Sequence, residues 1–288
     1  MRNYILFLLC LCVLPIGNLC AQDPLTFDVG DFQVSVLSDG GQNAGTELLK
    51  GASPGALKKY LPEGTFPLQI QAFLLRTPDQ KILVDAGVGT NLVKNLKYFE
   101  VGDQDINIIL LTHMHGDHIG GLLRDGKKAF PNAELYLSKA EYDYWTGEKE
   151  RGVDAQKVLT AYKDKLHIFT PSELGKAATP IIPGIKAVAA YGHTPGHTAF
   201  LLESGKAQLL LWGDVAHAMP IQMPLPEVTL SFDSNPKQAV QTRKSILEYV
   251  AKNKIRVAGA HIPFPAIGHI AVGKEGYDFI PTCACEGY

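Results

Sequence analysis

The chain has 288 residues, of which 46% are hydrophobic and 19% charged, with a formal net charge of −2. That balance belongs to a chain that buries a substantial core, and it excludes low-complexity or disordered polymers. With no basic run and no basic–aromatic alternation to track phosphates, the sequence also argues against a nucleic-acid partner.

At the N-terminus, Arg2 gives a positive start, Ile5 to Leu14 form a short apolar run, and Pro15 to Ala21 form a breaker and small-residue zone. The layout predicts a signal peptide over residues 1–21, cleaved after Ala21. The mature chain, residues 22–288, is then expected to be a single exported domain, periplasmic or secreted. About ten apolar residues fall short of the roughly 20 that a spanning helix needs, so no membrane span is expected after cleavage. Lipid attachment at Cys20 is disfavoured, because Gly17, Asn18 and Leu19 match a lipobox poorly. Cleavage would remove Cys10, Cys12 and Cys20, leaving Cys283 and Cys285 of the five cysteines. That pair reads as a local disulfide or a tail rather than a disulfide framework or a metal site.

Short runs rich in β-branched and aromatic residues predict strands at Phe32 to Leu37, Ile70 to Leu75, Lys81 to Val84, Ile106 to Leu111, Leu135 to Leu137, Ile185 to Ala189, Ala199 to Leu202, Ala207 to Leu211 and Ile255 to Ala258. Helical composition and spacing fall at Asn91 to Tyr98, Ser138 to Trp145, Val153 to Tyr162 and Pro236 to Lys252, with Ser138 and Asn235 as N-caps. The fold class is therefore α/β or layered α+β. The strands come in two batches, each followed by helix, which predicts two packed sheets with helices outside. Gly40 to Pro67, rich in Gly and Pro with one weak helical segment at Ala56 to Tyr60, reads as an irregular cover, either a lid or a plain surface excursion.

The segment Thr112-His113-Met114-His115-Gly116-Asp117-His118 follows the apolar run Ile108 to Leu111 and packs four candidate ligands into six residues. Polar groups at that density on a buried strand end are costly unless paired or metal-bound. Imidazole and carboxylate suit zinc and its first-row neighbours, and such a donor set fits hydrolysis rather than redox chemistry.

His-x-His-x-Asp-His after an apolar strand resembles the signature of the metallo-β-lactamase superfamily. The other elements occur in the matching order: Val84-Asp85-Ala86-Gly87, Gly192-His193-Thr194-Pro195-Gly196-His197-Thr198, Gly213-Asp214 and Gly259-Ala260-His261. The resemblance implies a four-layer αβ/βα sandwich with two divalent metal ions, zinc, at one edge. It places His113, His115 and His197 on one metal, Asp117, His118 and His261 on the other, and Asp214 between them, with a hydroxide completing the bridge. It leaves His193 as a hydrogen-bonding neighbour and Asp85 as a residue that orients ligands. His167, His217 and His269 lie outside the matched set, with His167 expected at the surface.

A metal pair lowers the pKa of a bound water and polarises the oxygen it attacks, with Asp117 placed to orient the nucleophile and move a proton. Asp214 after Gly213 departs from true β-lactamases, and His115 stands where the diiron flavoproteins have Glu. Gly213-Asp214-Val215-Ala216-His217, Ala260-His261-Ile262-Pro263-Phe264-Pro265 and Ser38-Asp39-Gly40 resemble the branch of methyl parathion hydrolase-like enzymes and acyl-homoserine lactonases. His217 stands where many lactonases have a Tyr that assists at the carbonyl oxygen, so it is the second catalytic candidate beside Asp117. The resemblance implies cleavage of a small lactone or related ester, with phosphotriesters a further substrate class. A glyoxalase II-like thioesterase, a mononuclear-iron persulfide dioxygenase and a β-lactamase are the alternatives. It also implies a homodimer. Phe66, Trp145, Phe232 and Phe264 are candidates for an apolar wall around an acyl or aryl group.

Overall fold

A computed structural model describes residues 25–147, 152–177 and 180–282. The expected signal peptide, Cys283 and Cys285 lie outside the described residues. Two sheets carry the fold. The first runs edge to edge through Thr26–Val29, Phe32–Gly45, Thr65–Arg76, Lys81–Val84, Ile108–Leu110, Glu134–Ser138 and Leu166–Phe169. The second runs through Ile185–Ala189, Thr198–Ser204, Ala207–Leu211, Arg256–Ala258, Ile267–Val272 and Tyr277–Pro281. Lys81–Val84, Ile108–Leu110, Glu134–Ser138 and Leu166–Phe169 are parallel neighbours, and so are Ala207–Leu211 and Arg256–Ala258.

The four layers follow from period-two side-chain alternation on strands buried on both faces. In Lys81–Val84, Ile82 and Val84 join the core between the sheets, while Leu83 joins the outer core under helices Leu92–Tyr98, Lys139–Gly147 and Val153–Ala161. In Ala207–Leu211, Leu209 and Leu211 face the first sheet, while Leu210 packs beneath helix Pro236–Asn253. Each such fully buried Leu, Ile or Phe contributes about 1.5–3 kcal/mol. Both helix N-caps form as expected: Ser138 Oγ accepts the Glu141 N–H at 3.2 Å and Asn235 Oδ1 accepts the Gln238 N–H at 3.1 Å. Among the described residues no helix is long and apolar enough to cross a membrane.

The expectation of an irregular cover over Gly40 to Pro67 needs correction. Strands Phe32–Gly45 and Thr65–Arg76 stay paired from Gln33 opposite Arg76 out to Gly45 opposite Thr65, with one register shift between Ser38 and Gly40. Gly40, at φ +141°, absorbs that irregularity. The ribbon persists because Ala44 and Phe66 on it are buried in a separate apolar cluster with Leu49, Leu61, Val228 and Leu230. Only its far loop is irregular, with helix Pro54–Tyr60 started by Ser53, whose Oγ accepts the Ala56 N–H.

Candidate metal centre

Every element of the expected ligand set reaches the same edge of the two sheets, where strand ends open into loops and an α/β architecture binds its ligands. Asp85 ends Lys81–Val84 at φ +57°, the 113–118 loop follows Ile108–Leu110, Asp214 follows Ala207–Leu211, and His261 follows Arg256–Ala258. His197 arrives just before the antiparallel strand Thr198–Ser204. Gly213, at φ +58°, makes the turn possible, because a Cβ there would lie 2.6 Å from His197 Nε2 and 3.0 Å from Thr112 Cβ.

Ligand atoms of His113, His115, His193 and Asp214 lie within 4.8 Å of one another, as do those of Asp117, His118 and His261, and those of Asp214, His217 and His261. Asp214 joins the groups. Its Oδ1 is 3.2 Å from His118 Nε2, and its Oδ2 is 3.1 Å from His261 Nε2, 3.2 Å from His193 Nε2 and 3.6 Å from His113 Nε2. His118 Nε2 and Asp214 Oδ1 are buried and, although they face each other at 3.2 Å, neither completes a hydrogen bond. Orphaned polar atoms of this kind are costly in a protein interior unless something else satisfies them. This orphaned pair, in an all-nitrogen and oxygen donor set, fits divalent cations of the zinc type.

The structure brings His193, where the resemblance implied His197, within ligand distance of His113, His115 and Asp214. His197 is tied at both nitrogens, with Nδ1 2.9 Å from Ala190 O and Nε2 accepting the Asp214 N–H at 2.9 Å. His193 instead sends Nε2 into the cluster, 2.9 Å from His115 Nδ1, while its Nδ1 meets Asp233 Oδ1 at 2.9 Å. A carboxylate behind a histidine that faces a cation is a recurrent way to fix the ring.

Electrostatics divide the rings. Burial holds His113 well below the ordinary histidine range and His115 and His197 down to about 3, so all three rings are neutral at neutral pH. Burial also opposes charge on His118 and His261, but the Asp214 carboxylate outweighs it and raises both. For His193 burial is overcome by hydrogen bonds to Asp214 and Asp233, which hold it at about 9. Burial pushes the Asp214 carboxyl up, yet the surrounding rings, His118 and His261 first, hold it well below the usual range. Protons on these rings and divalent cations are thus alternative ways of neutralising Asp214.

The family model described as the metallo-beta-lactamase superfamily matches residues 65–261. The chain belongs to that superfamily. An N-acyl homoserine lactonase of Bacillus cereus is 26% identical over 246 residues, covering 76% of this chain and 88% of that protein. Among solved structures, the hydrolase AbOPH is 30% identical with a TM-score of 0.79. The dizinc quorum-quenching lactonase AidC, solved with a hexanoyl-homoserine product, is 27% identical with a TM-score of 0.80. Each covers 90% of this chain, which in turn covers 97% of each. The protein is therefore a metal-dependent hydrolase of the superfamily, with a centre for two divalent cations.

As in other binding sites of concave form, the metallo-β-lactamase edge opens into a cleft, here of about 700 Å³. Its floor is His115, Asp117, His193, Asp214, His217 and His261, and Leu68, Ile70, Tyr144, Trp145 and Phe232 form apolar walls. Of the four aromatic candidates, Trp145 and Phe232 line it, whereas Phe66 is fully buried in the cluster beneath the ribbon. Phe264 is 39% exposed and is not part of the lining. His217 reaches the site, its Nε2 3.0 Å from Asp214 Oδ2 and its ring stacked on His261. His167 stacks on Tyr136 at the surface beside Glu134. His269 lines a separate groove with Lys206 and Arg256.

Asp85 grips the 112–118 loop: it accepts the Thr112 N–H at 2.9 Å, the Thr112 hydroxyl at 2.7 Å and His118 Nδ1 at 2.8 Å. Sequence reasoning passed over two other carboxylates at the site. Asp233 backs His193, and Glu141 sits fully buried beneath the ligand loops. A capping spacing, Ser138 to Glu141, was the available signal for Glu141, and it points to a local helix role.

Proposed function

We propose that the protein opens lactones or related esters, with phosphotriester cleavage as a second activity of the same site. The observation that carries the reading is the cleft, in which a polar metal-binding floor lies under apolar walls, the shape demanded by an ester with an acyl chain. The lactonase of Bacillus cereus and the dizinc lactonase AidC support the lactone. When bound, two divalent cations supply Lewis acidity and a water made nucleophilic near neutral pH.

The residues that would hold the cations are His113, His115, His197, Asp117, His118, His261 and Asp214. Asp117 keeps its side chain 31% exposed toward the cleft. Burial would raise its carboxyl, but His118 and His261 lower it, so it stays ionised to orient the attacking water and carry a proton to the leaving alkoxide. Burial holds His217 down to about 4. Its neutral ring keeps one N–H, on Nε2, which points at Asp214 Oδ2 in this structure and is proposed to turn to the carbonyl oxygen as negative charge builds there. Leu68, Ile70, Trp145 and Phe232 hold the acyl chain and exclude water.

The test is proton release from a long-chain N-acyl homoserine lactone by the zinc-loaded protein, beside Asp214→Asn. Turnover is expected, falling on the order of 10²–10³-fold in the variant, the scale of a lost electrostatic contact at the reacting centre. A zinc-loaded protein without turnover would sink the lactone reading and move aryl phosphotriesters and thioesters to the front.

A further inference from the structure

Ser138 to Glu141 has the spacing of a capping box, in which the glutamate carboxylate turns back to its own helix start. Here the carboxylate points elsewhere. Its Oε1 accepts the Met114 N–H at 3.0 Å and the Trp145 Nε1–H at 2.5 Å. Its Oε2 accepts the Thr194 hydroxyl at 2.7 Å and the Gly196 N–H at 3.1 Å. Met114 lies between His113 and His115, and Thr194 and Gly196 lie between His193 and His197. One buried carboxylate thus joins the two loops that carry four of the histidines, and adds the Trp145 wall of the cleft.

The approach is built on both sides. Ser138 Oγ donates to Gly196 O at 2.7 Å, so the Gly196 peptide is held at its N–H by Glu141 and at its carbonyl by Ser138. A Cβ at Gly196 would sit 2.0 Å from Glu141 N, so only glycine lets the loop come this close. A carboxylate 0% exposed is an expensive way to start a helix unless its hydrogen bonds serve something else.

We infer that Glu141 is a positioning residue for one half of the metal centre, holding His113, His115 and the 193–197 loop in register. Asp85 does the corresponding work for His118 in the other half. The inference rests on the metal centre and is independent of which substrate is cleaved.

Zinc titration of the intact chain against a chromophoric chelator reads the two binding steps without any assay of turnover. Glu141→Gln keeps the volume but turns an amide NH2 toward N–H donors. It is expected to weaken one step by about 10–100-fold, the scale for groups that orient metal ligands, and to leave the other unchanged. Thr194→Val, which deletes a single bond to the carboxylate, is expected to weaken the same step by less. Wild-type affinity at both steps in Glu141→Gln would overturn the inference. So would an equal fall at both steps that tracks a lower Tm of the chelator-treated protein. Should Glu141→Gln not fold, Thr194→Val decides by the same criteria. A chain that binds two zinc ions yet hydrolyses no lactone would remove the proposed substrate and leave Glu141 in its role.

Discussion

Asp85 and Glu141 are both buried carboxylates beside the metal centre, but they reach it from different parts of the fold. Asp85 ends the strand Lys81–Val84, next to Ile108–Leu110, and holds His118 and Thr112 from the adjoining strand end. Glu141 comes from the start of a helix after Glu134–Ser138 and holds backbone and hydroxyl groups in two loops rather than a ligand ring. In the Asp85 half, His261 is also fixed by the chain itself, with Nδ1 donating to Gln69 O. In the Glu141 half, His197 is fixed by Ala190 O and His193 by Asp233. Each half has its own carboxylate anchor, with two links between them: Asp214 reaches both, and the Thr112 hydroxyl that Asp85 accepts lies 3.1 Å from His113 Nδ1. Damage to one anchor should therefore show as the loss of one metal before the other.

The largest effect within that comparison is expected from Asp85→Asn, which replaces an acceptor of His118 Nδ1 with a group that can present a donor. Zinc affinity should fall by about 10–100-fold, at the step that Glu141→Gln leaves unchanged. A double variant should then weaken both steps, with any departure from additivity reporting the link through Thr112, whose hydroxyl joins Asp85 to His113. Identical behaviour of the two single variants would collapse the two halves into one unit.

A smaller effect is expected at His217, which contacts Asp214 and stacks on His261 without belonging to either anchor. His217→Ala should lower kcat about tenfold with little change in KM, the worth of one hydrogen bond of about 1–1.5 kcal/mol. His217→Gln, whose amide nitrogen can stand near Nε2, should recover part of it. A rise in KM with kcat intact would assign His217 to the cleft wall instead.

The smallest effect concerns the metal-free protein. His115 and His197 are held at about 3 in the fold. Below about pH 6.5 the unfolded chain takes up protons that these folded rings refuse, so stability falls as the pH drops from there toward 3. His193, raised to about 9, acts in the other direction. Its contribution is fully present below about 6.5 and is lost as the pH rises through 9. The Tm of chelator-treated protein, followed by differential scanning calorimetry, should therefore peak near pH 6.5. A Tm that climbs steadily from pH 6 to 9 would contradict this balance.

Much of the fold was legible because buried strands announce themselves by composition. Lys81–Val84, Ile185–Ala189 and Ala207–Leu211 have the bounds that the apolar runs predict. Thr26–Val29, Leu166–Phe169, Ile267–Val272 and Tyr277–Pro281 were missed. The first, second and last are short edge strands of mostly part-buried and exposed residues, and Ile267–Val272 is interrupted by Gly268 and His269, so none presents a continuous apolar run. The ribbon beyond Gly40 was hidden for another reason. Glycines that read as loop are tolerated in it because Ala44 and Phe66 bury against Val228 and Leu230, a contact made only on folding.

The sequence by itself determined the superfamily, the layered class and the candidate ligands, because His113, His115, Asp117 and His118 sit within six residues and their spacing is a local property. Tertiary structure decided how those rings are aimed. Glu141 is 27 residues from Met114 and 55 from Gly196, Asp233 is 40 from His193, and Gln69 is 192 from His261. No local pattern encodes such pairings. They arise when two sheets close face to face and bring unrelated strand ends, a helix start and a loop to one edge, where burial makes each hydrogen bond obligatory.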